Sequence, residues 1–113
     1  MVKFIEGGDD EMEHNNLCPK FESAFKLLGK RWTGLIISVL LNGSKRFKDI
    51  SEIIPSMSDR MLTERLKELE VTGLLTRHVY PETPVRIEYE LTEKGEALQP
   101  VMEEMQKWGE RWL

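Results

Sequence analysis

The chain has 113 residues, 32% of them charged and 40% apolar, and a formal net charge of −4 at pH 7. That is one domain's length with an ordinary globular composition, short enough to favour oligomerisation because so much of its surface stays exposed. A single cysteine, Cys18, excludes an internal disulfide framework and a cysteine-rich zinc site, no metal-ligand spacing or cofactor motif occurs, and no apolar run nears the ~18 residues of a membrane span.

Residues 1–16 read as a flexible, acidic, glycine-containing tail, and residues 17–113 as one domain. The tail holds no apolar core of the signal-peptide kind, so the expected location is the cytoplasm. At Cys18-Pro19 the pattern changes. Proline suits the first helical turn, so Cys18 is expected to cap a helix in which Phe21, Phe25 and Leu28 recur at helical spacing up to Gly29. A second helix is expected with Trp32, Leu35, Ile36, Val39 and Leu40 on one broad face, stopped by Asn42-Gly43, two residues that tolerate left-handed backbone.

A short helix over residues 47–54 follows, with Phe47, Ile50 and Ile54 inward, broken by Pro55-Ser56. Ser58 is expected to cap a longer helix to about residue 71. Leu62, Leu66 and Leu69 form its buried stripe, Arg60, Thr63, Glu64 and Lys67 its outer face, and Gly73 its end. The period then changes from helical to alternating. Leu75, Arg77 and Val79 share one side of a strand, Val85, Ile87, Tyr89 and Leu91 one side of the next, with Pro81-Glu82-Thr83-Pro84 as the tip of a hairpin. Thr92 should cap a final helix carrying Leu98, Val101, Met102, Met105, Trp108 and Trp112, which Pro100 should kink or divide.

Helix, short break, helix and hairpin, in a mainly α chain with a small β-hairpin, make a winged helix-turn-helix. The second helix of such a unit fits the DNA major groove, and the hairpin, or wing, reaches the neighbouring backbone or minor groove. Here the helix is 58–71 and the wing roughly 80–87. The DNA-binding candidates are Ser58, whose helix N-terminus offers amides to a phosphate, with Arg60, Thr63 and Lys67 on the outer face and Arg86 on the wing. Charge is distributed to suit. Residues 1–13 carry one lysine against five acids, residues 93–113 three basic groups against five acids, and residues 14–92 twelve against ten. Phosphate binding depends on where cations sit more than on the total. Each candidate also has a plainer reading. Polar residues on a helix face are often only solvated, Glu64 and Glu82 repel phosphate, and Arg77, on the inward side of its strand, suits a structural ion pair.

The chain is similar to the HxlR family, a branch of the MarR-like winged-helix regulators. The resemblance is carried by Cys18-Pro19, Leu28-Gly29-Lys30-Arg31-Trp32, Gly43, Arg46-Phe47, the run from Ser58 to Leu69, Gly73-Leu74, Tyr80, Pro84, Glu88-Tyr89-Glu90-Leu91-Thr92, Gly95 and Trp108. It spans Cys18 to Trp112. It implies a bacterial or archaeal source, a homodimer, double-stranded DNA as partner and a palindromic operator. Repression and activation both occur in the family.

Two half-sites need two recognition helices, which a two-fold dimer supplies. The N- and C-terminal helices are the expected dimer interface, through Phe21, Phe25, Met102, Met105, Trp108 and Trp112. Cys18 has two open readings. Its place at a helix N-terminus near Lys20, and the use of a cysteine at this place by some regulators of the family, suit a redox or electrophile sensor with a small-molecule or thiol-reactive effector. A small N-cap with no sensing role fits equally. Catalysis is not expected, since Cys18 and His14 are the only nearby nucleophile–base pair and nothing orients His14. His78 is expected to be structural or solvent-facing. The rival function is a winged helix turned to protein–protein contact without DNA binding.

Overall fold

The computed structural model describes residues 18–113, in two units divided after Arg31. The expected acidic tail and His14 lie outside the described residues. In the first unit, α1 (Pro19–Leu28) begins where the proline predicts. Cys18 is its N-cap with extended backbone, and the Cys18 carbonyl accepts from the Glu22 N–H at 3.0 Å. The thiol itself makes no capping hydrogen bond. Phe21 and Phe25, one turn apart, hold their ring centroids 6.0 Å from each other.

The second unit runs α2 (Thr33–Leu40), α3 (Phe47–Ile53), α4 (Asp59–Val71), β1 (Leu75–Tyr80), β2 (Arg86–Leu91), α5 (Glu93–Glu96) and α6 (Gln99–Trp112). This is the mainly helical, hairpin-bearing order expected of a winged helix-turn-helix. Helix α2 buries Thr33, Ile36, Ile37 and Leu40, whereas Leu35, expected inside, is 54% exposed. The helix is apolar almost all round, so its period does not set its phase. Packing against α3, β2 and α6 does. Trp32 caps it with φ 78°, a left-handed backbone that costs a non-glycine residue roughly 1–2 kcal/mol.

Helix α3 faces inward with Ile50 as predicted, followed by buried Ile54, while Phe47 is half-buried. The Asp49 carboxylate accepts from the Arg46 backbone N–H at 3.1 Å and closes the helix's first turn. Buried Met57 fills the turn to α4. There the Ser58 hydroxyl oxygen accepts from the Met61 N–H at 3.1 Å, the expected cap, and Leu62, Leu66 and Leu69 form the buried stripe. Helix α4 ends in a Schellman motif. The Leu74 N–H donates to the Leu69 carbonyl at 2.9 Å and the Gly73 N–H to that of Glu70 at 3.1 Å, around a left-handed Gly73 (φ 82°). The two leucines are both buried.

The hairpin is antiparallel, pairing Leu75 with Leu91 at its buried base and Tyr80 with Arg86 near its tip. Val85, expected in the second strand, falls in the exposed tip. Lys45 adds one bridge to Tyr89, with N–H···O bonds of 3.0 and 2.7 Å. A single bridging residue has no period to reveal it in the sequence.

The base of the hairpin is tied to the end of α4. The Thr92 hydroxyl donates to the Gly73 carbonyl at 2.6 Å and accepts from the Gly95 N–H at 3.2 Å. The Thr92 N–H reaches the Leu74 carbonyl at 3.0 Å, and the Lys94 ammonium donates to that of Thr72 at 2.7 Å. Gly95 is buried there, and a methyl group on it would lie 2.3 Å from the Leu74 carbonyl oxygen. Pro100 sits in the first turn of α6, so the final helical stretch is divided, as expected. Among the described residues no helix is long and apolar enough to cross a membrane.

Because backbone rather than a flexible side chain blocks a methyl at Gly95, Gly95→Ala should cost about 1–3 kcal/mol. Gly34→Ala, with nothing within 4 Å of the added methyl, should instead gain roughly 0.5–1 kcal/mol. Thermal denaturation of the two variants should show melting temperatures shifted in opposite directions.

Candidate nucleic-acid interface

The outward face of α4 is built by the same period that buries its leucines. Arg60, Thr63, Glu64 and Lys67 are all exposed. Neither Arg60 nor Lys67 has an ion-pair partner among the described residues. The Thr63 hydroxyl donates back to the Asp59 carbonyl at 2.8 Å, which leaves its lone pair and methyl group facing outward chemistry. Ser58 uses its oxygen on the cap. Asp59, in the first turn, accepts from the Ser51 hydroxyl at 3.0 Å and so joins α3 to α4, but it also sets a carboxylate beside the amides expected to receive a phosphate.

The wing differs from the expectation in its electrostatics. Arg86 is bound on three sides. Its guanidinium lies 2.9 Å from Glu82, bonds Glu88, and stacks 3.8 Å above the centre of the Tyr80 ring. Hydrogen bonds to Glu82 and then to Glu88 raise its pKa above the ordinary arginine value. The same hydrogen bond, with charge from Arg86 and Arg46, holds Glu82 below the usual carboxylate range. Glu88 also accepts from the Ser44 hydroxyl at 3.3 Å, which ties the wing to the loop before α3.

Arg77 pairs with Tyr89 across the hairpin on the side that the alternation predicts, but the expected ion pair is not formed. Arg77 is exposed and has no carboxylate partner among the described residues. The strand pairing turns it toward α4, where Glu70 lines the same recess but forms no ion pair with it. Between α4 and the hairpin lies an open recess of about 360 Å³ lined by Phe47, Thr63, Leu66, Lys67, Glu70, Arg77 and Tyr89. Sequence reasoning missed this grouping, because Lys67 and Arg77 come from elements of different period. His78 bonds Glu90 at 2.9 Å across the strands, a structural pairing of the kind expected.

Helix α6 is two-faced. Gln99 bonds Glu103 and Gln106 bonds Glu110, each at 3.0 Å, along one side. Along the other, Met105, Trp108 and Trp112 are 56–62% exposed, and Met102 is half-buried. Cys18 is exposed, and its thiol is free. Among the described residues no cluster of three potential metal ligands occurs.

Arg86→Ala should speed amide exchange at the tip end of the hairpin, around Tyr80 and Arg86, and leave the Leu75–Leu91 base unchanged. Glu82 is held low in the folded state, so its contribution is present above its unfolded pKa and is lost as pH falls through the folded one. Protection of the tip amides, relative to their intrinsic exchange rates, should therefore fall on acidification through the carboxylate range, and Glu82→Gln should flatten that dependence.

Comparison with known proteins places this geometry among regulators. The family model described as HxlR-like helix-turn-helix matches residues 27–113. The HTH-type transcriptional regulator YodB of Bacillus subtilis (strain 168) is 61% identical over 98 residues, 87% of this chain and 88% of that protein. The structure of its reduced form superimposes with a TM-score of 0.77 over 85% of this chain and 94% of that one. Its quinone-bound form, 56% identical, gives 0.74 over 85% of this chain and all of the other. The redox regulator HypR in its reduced form is 39% identical, with a TM-score of 0.78 over 81% of this chain and 91% of that one.

Proposed function

This chain belongs to the HxlR-like helix-turn-helix family of transcriptional regulators, DNA-binding proteins rather than enzymes, and on that premise we propose that it acts as a homodimer on a palindromic operator. The observation that carries this reading is α4, held by its leucine stripe while Arg60 and Lys67 stand exposed without ion-pair partners among the described residues. Arg60 and Lys67 are suited to guanine edges or phosphates, Thr63 to a base edge through its methyl or lone pair, and Ser58 to the start of the helix. Arg86 serves the wing chiefly by holding its shape, and its approach to DNA is weakened by Glu82 and Glu88. The unneutralised cations of α4 also disfavour a winged helix turned only to protein contact.

The dimer seam is the apolar side of α6, through Met102, Met105, Trp108 and Trp112, and Phe21 and Phe25 of α1 belong to the same interface. An apolar stripe opposite a self-bonded polar face is the pattern of a helix that lacks its partner. Residues 1–16 are a tail to the working domain, residues 17–113, and the protein works in the cytoplasm.

The effector is a thiol-reactive electrophile acting at Cys18. A quinone-bound form is known for the related YodB, and HypR is described as a redox regulator. With a quinone, the Cys18 sulfur bonds a ring carbon, the thiol proton and the displaced ring proton end on the two oxygens, and the product is a hydroquinone thioether. With one cysteine per chain, any disulfide joins two subunits or a small thiol.

Selection of bound fragments from a random duplex pool tests the reading. A recovered palindrome, bound more weakly as salt rises, is the expected result; no enrichment at low salt overturns it. Repeating the titration after alkylation of Cys18 should change operator affinity, and unchanged affinity would reduce Cys18 to a cap. Sedimentation should show wild-type dimers, while Trp108→Glu should give folded monomers with weakened operator binding.

A further inference from the structure

A helix in the major groove and a hairpin tip in the adjacent minor groove leave one DNA strand between them. That strand must cross the recess between α4 and the hairpin. Two cations line this recess, Lys67 from α4 and Arg77 from β1, against the single carboxylate of Glu70. Neither cation is engaged by a carboxylate among the described residues, and both are exposed. The other arginine of the hairpin, Arg86, is already bonded to Glu82 and Glu88. We propose that Arg77, together with Lys67, holds a backbone phosphate of the strand lying between the two grooves, so that Arg77 rather than Arg86 is the hairpin's main phosphate contact. The inference rests on the DNA-binding reading and deepens it.

Register explains why Arg77 can do this. It sits two residues beyond buried Leu75 and opposite Tyr89, so its side chain leaves the sheet on the side facing α4. A guanidinium there can meet a phosphate with two parallel N–H donors. Contacts of this kind fix the protein's register on the duplex without reading bases.

The test is a salt titration by fluorescence anisotropy on two probes, a random-sequence duplex and the duplex recovered by selection. Arg77→Ala should weaken binding by the same factor on both and lower the slope of log affinity against log salt by about 0.9, one phosphate's worth. Arg77→Lys should restore most of the slope. Arg60→Ala, in contrast, should change the ratio between the two probes. If alanine lowers the melting temperature, Arg77→Gln against Arg77→Lys carries the same comparison, because the two keep a long side chain and differ in charge. Wild-type protein that binds DNA alongside an Arg77→Ala variant of unchanged slope and affinity overturns this proposal alone. Wild-type protein that binds neither duplex at low salt overturns the DNA-binding reading, and this proposal with it. A variant silent on DNA that loses a saturable benzoate binding seen in the wild type assigns the recess to a small organic anion and overturns the phosphate contact.

Discussion

Gly73 turns the chain out of α4 with a left-handed backbone, and the carbonyls left at that turn are claimed by the segment after the hairpin. Thr92 links to Gly73 and Leu74, and Lys94 to Thr72. Of these residues Leu74 is buried, and an unmet carbonyl there would cost as much as a lost hydrogen bond. The result is that both ends of the hairpin are anchored within a few residues of the C-terminus of α4. Gly95 completes the arrangement, because only a residue without a side chain lets α5 back so closely onto the Leu74 carbonyl. The angle between helix and hairpin, and hence the distance from Lys67 to Arg77, depends on this corner.

Charge is handled by the same logic of local placement. The chain is net negative, yet its acids are not evenly opposed to its cations. In the wing, Glu82 and Glu88 hold Arg86 in place, and the cation's value is then structural. On α4, Arg65 is ion-paired with Glu68, while Arg60 and Lys67 have no ion-pair partner among the described residues. Helix α6 divides its surface in a similar way. Its glutamines bond its glutamates along one face, and Met105, Trp108 and Trp112 along the other are exposed.

Much of the fold is legible in the residues because it is decided over short distances. The leucine stripe of α4, the caps at Ser58 and Thr92, the stop at Gly73 and the division at Pro100 each follow from helical period, capping chemistry or the missing proline N–H. The outward face of α4, with Arg60, Thr63 and Lys67, follows from the same period. The alternation of the hairpin likewise places Leu75, Arg77, Tyr89 and Leu91 on a shared side.

What the tertiary structure alone decided are matters of partnership across the chain. Helix α2 is apolar on nearly every side, so only its neighbours could choose Ile37 over Leu35 for the interior. Lys45 meets Tyr89 through one bridge, too short for any pattern. The two hairpin arginines carry the same charge in sequence, but among the described residues the fold gives Arg86 two carboxylate partners and Arg77 no ion pair. Period and capping are properties of adjacent residues and can be read from them. Whether a charge is neutralised depends on which distant group the chain brings within about 4 Å, and that is set only when the whole chain has closed on itself.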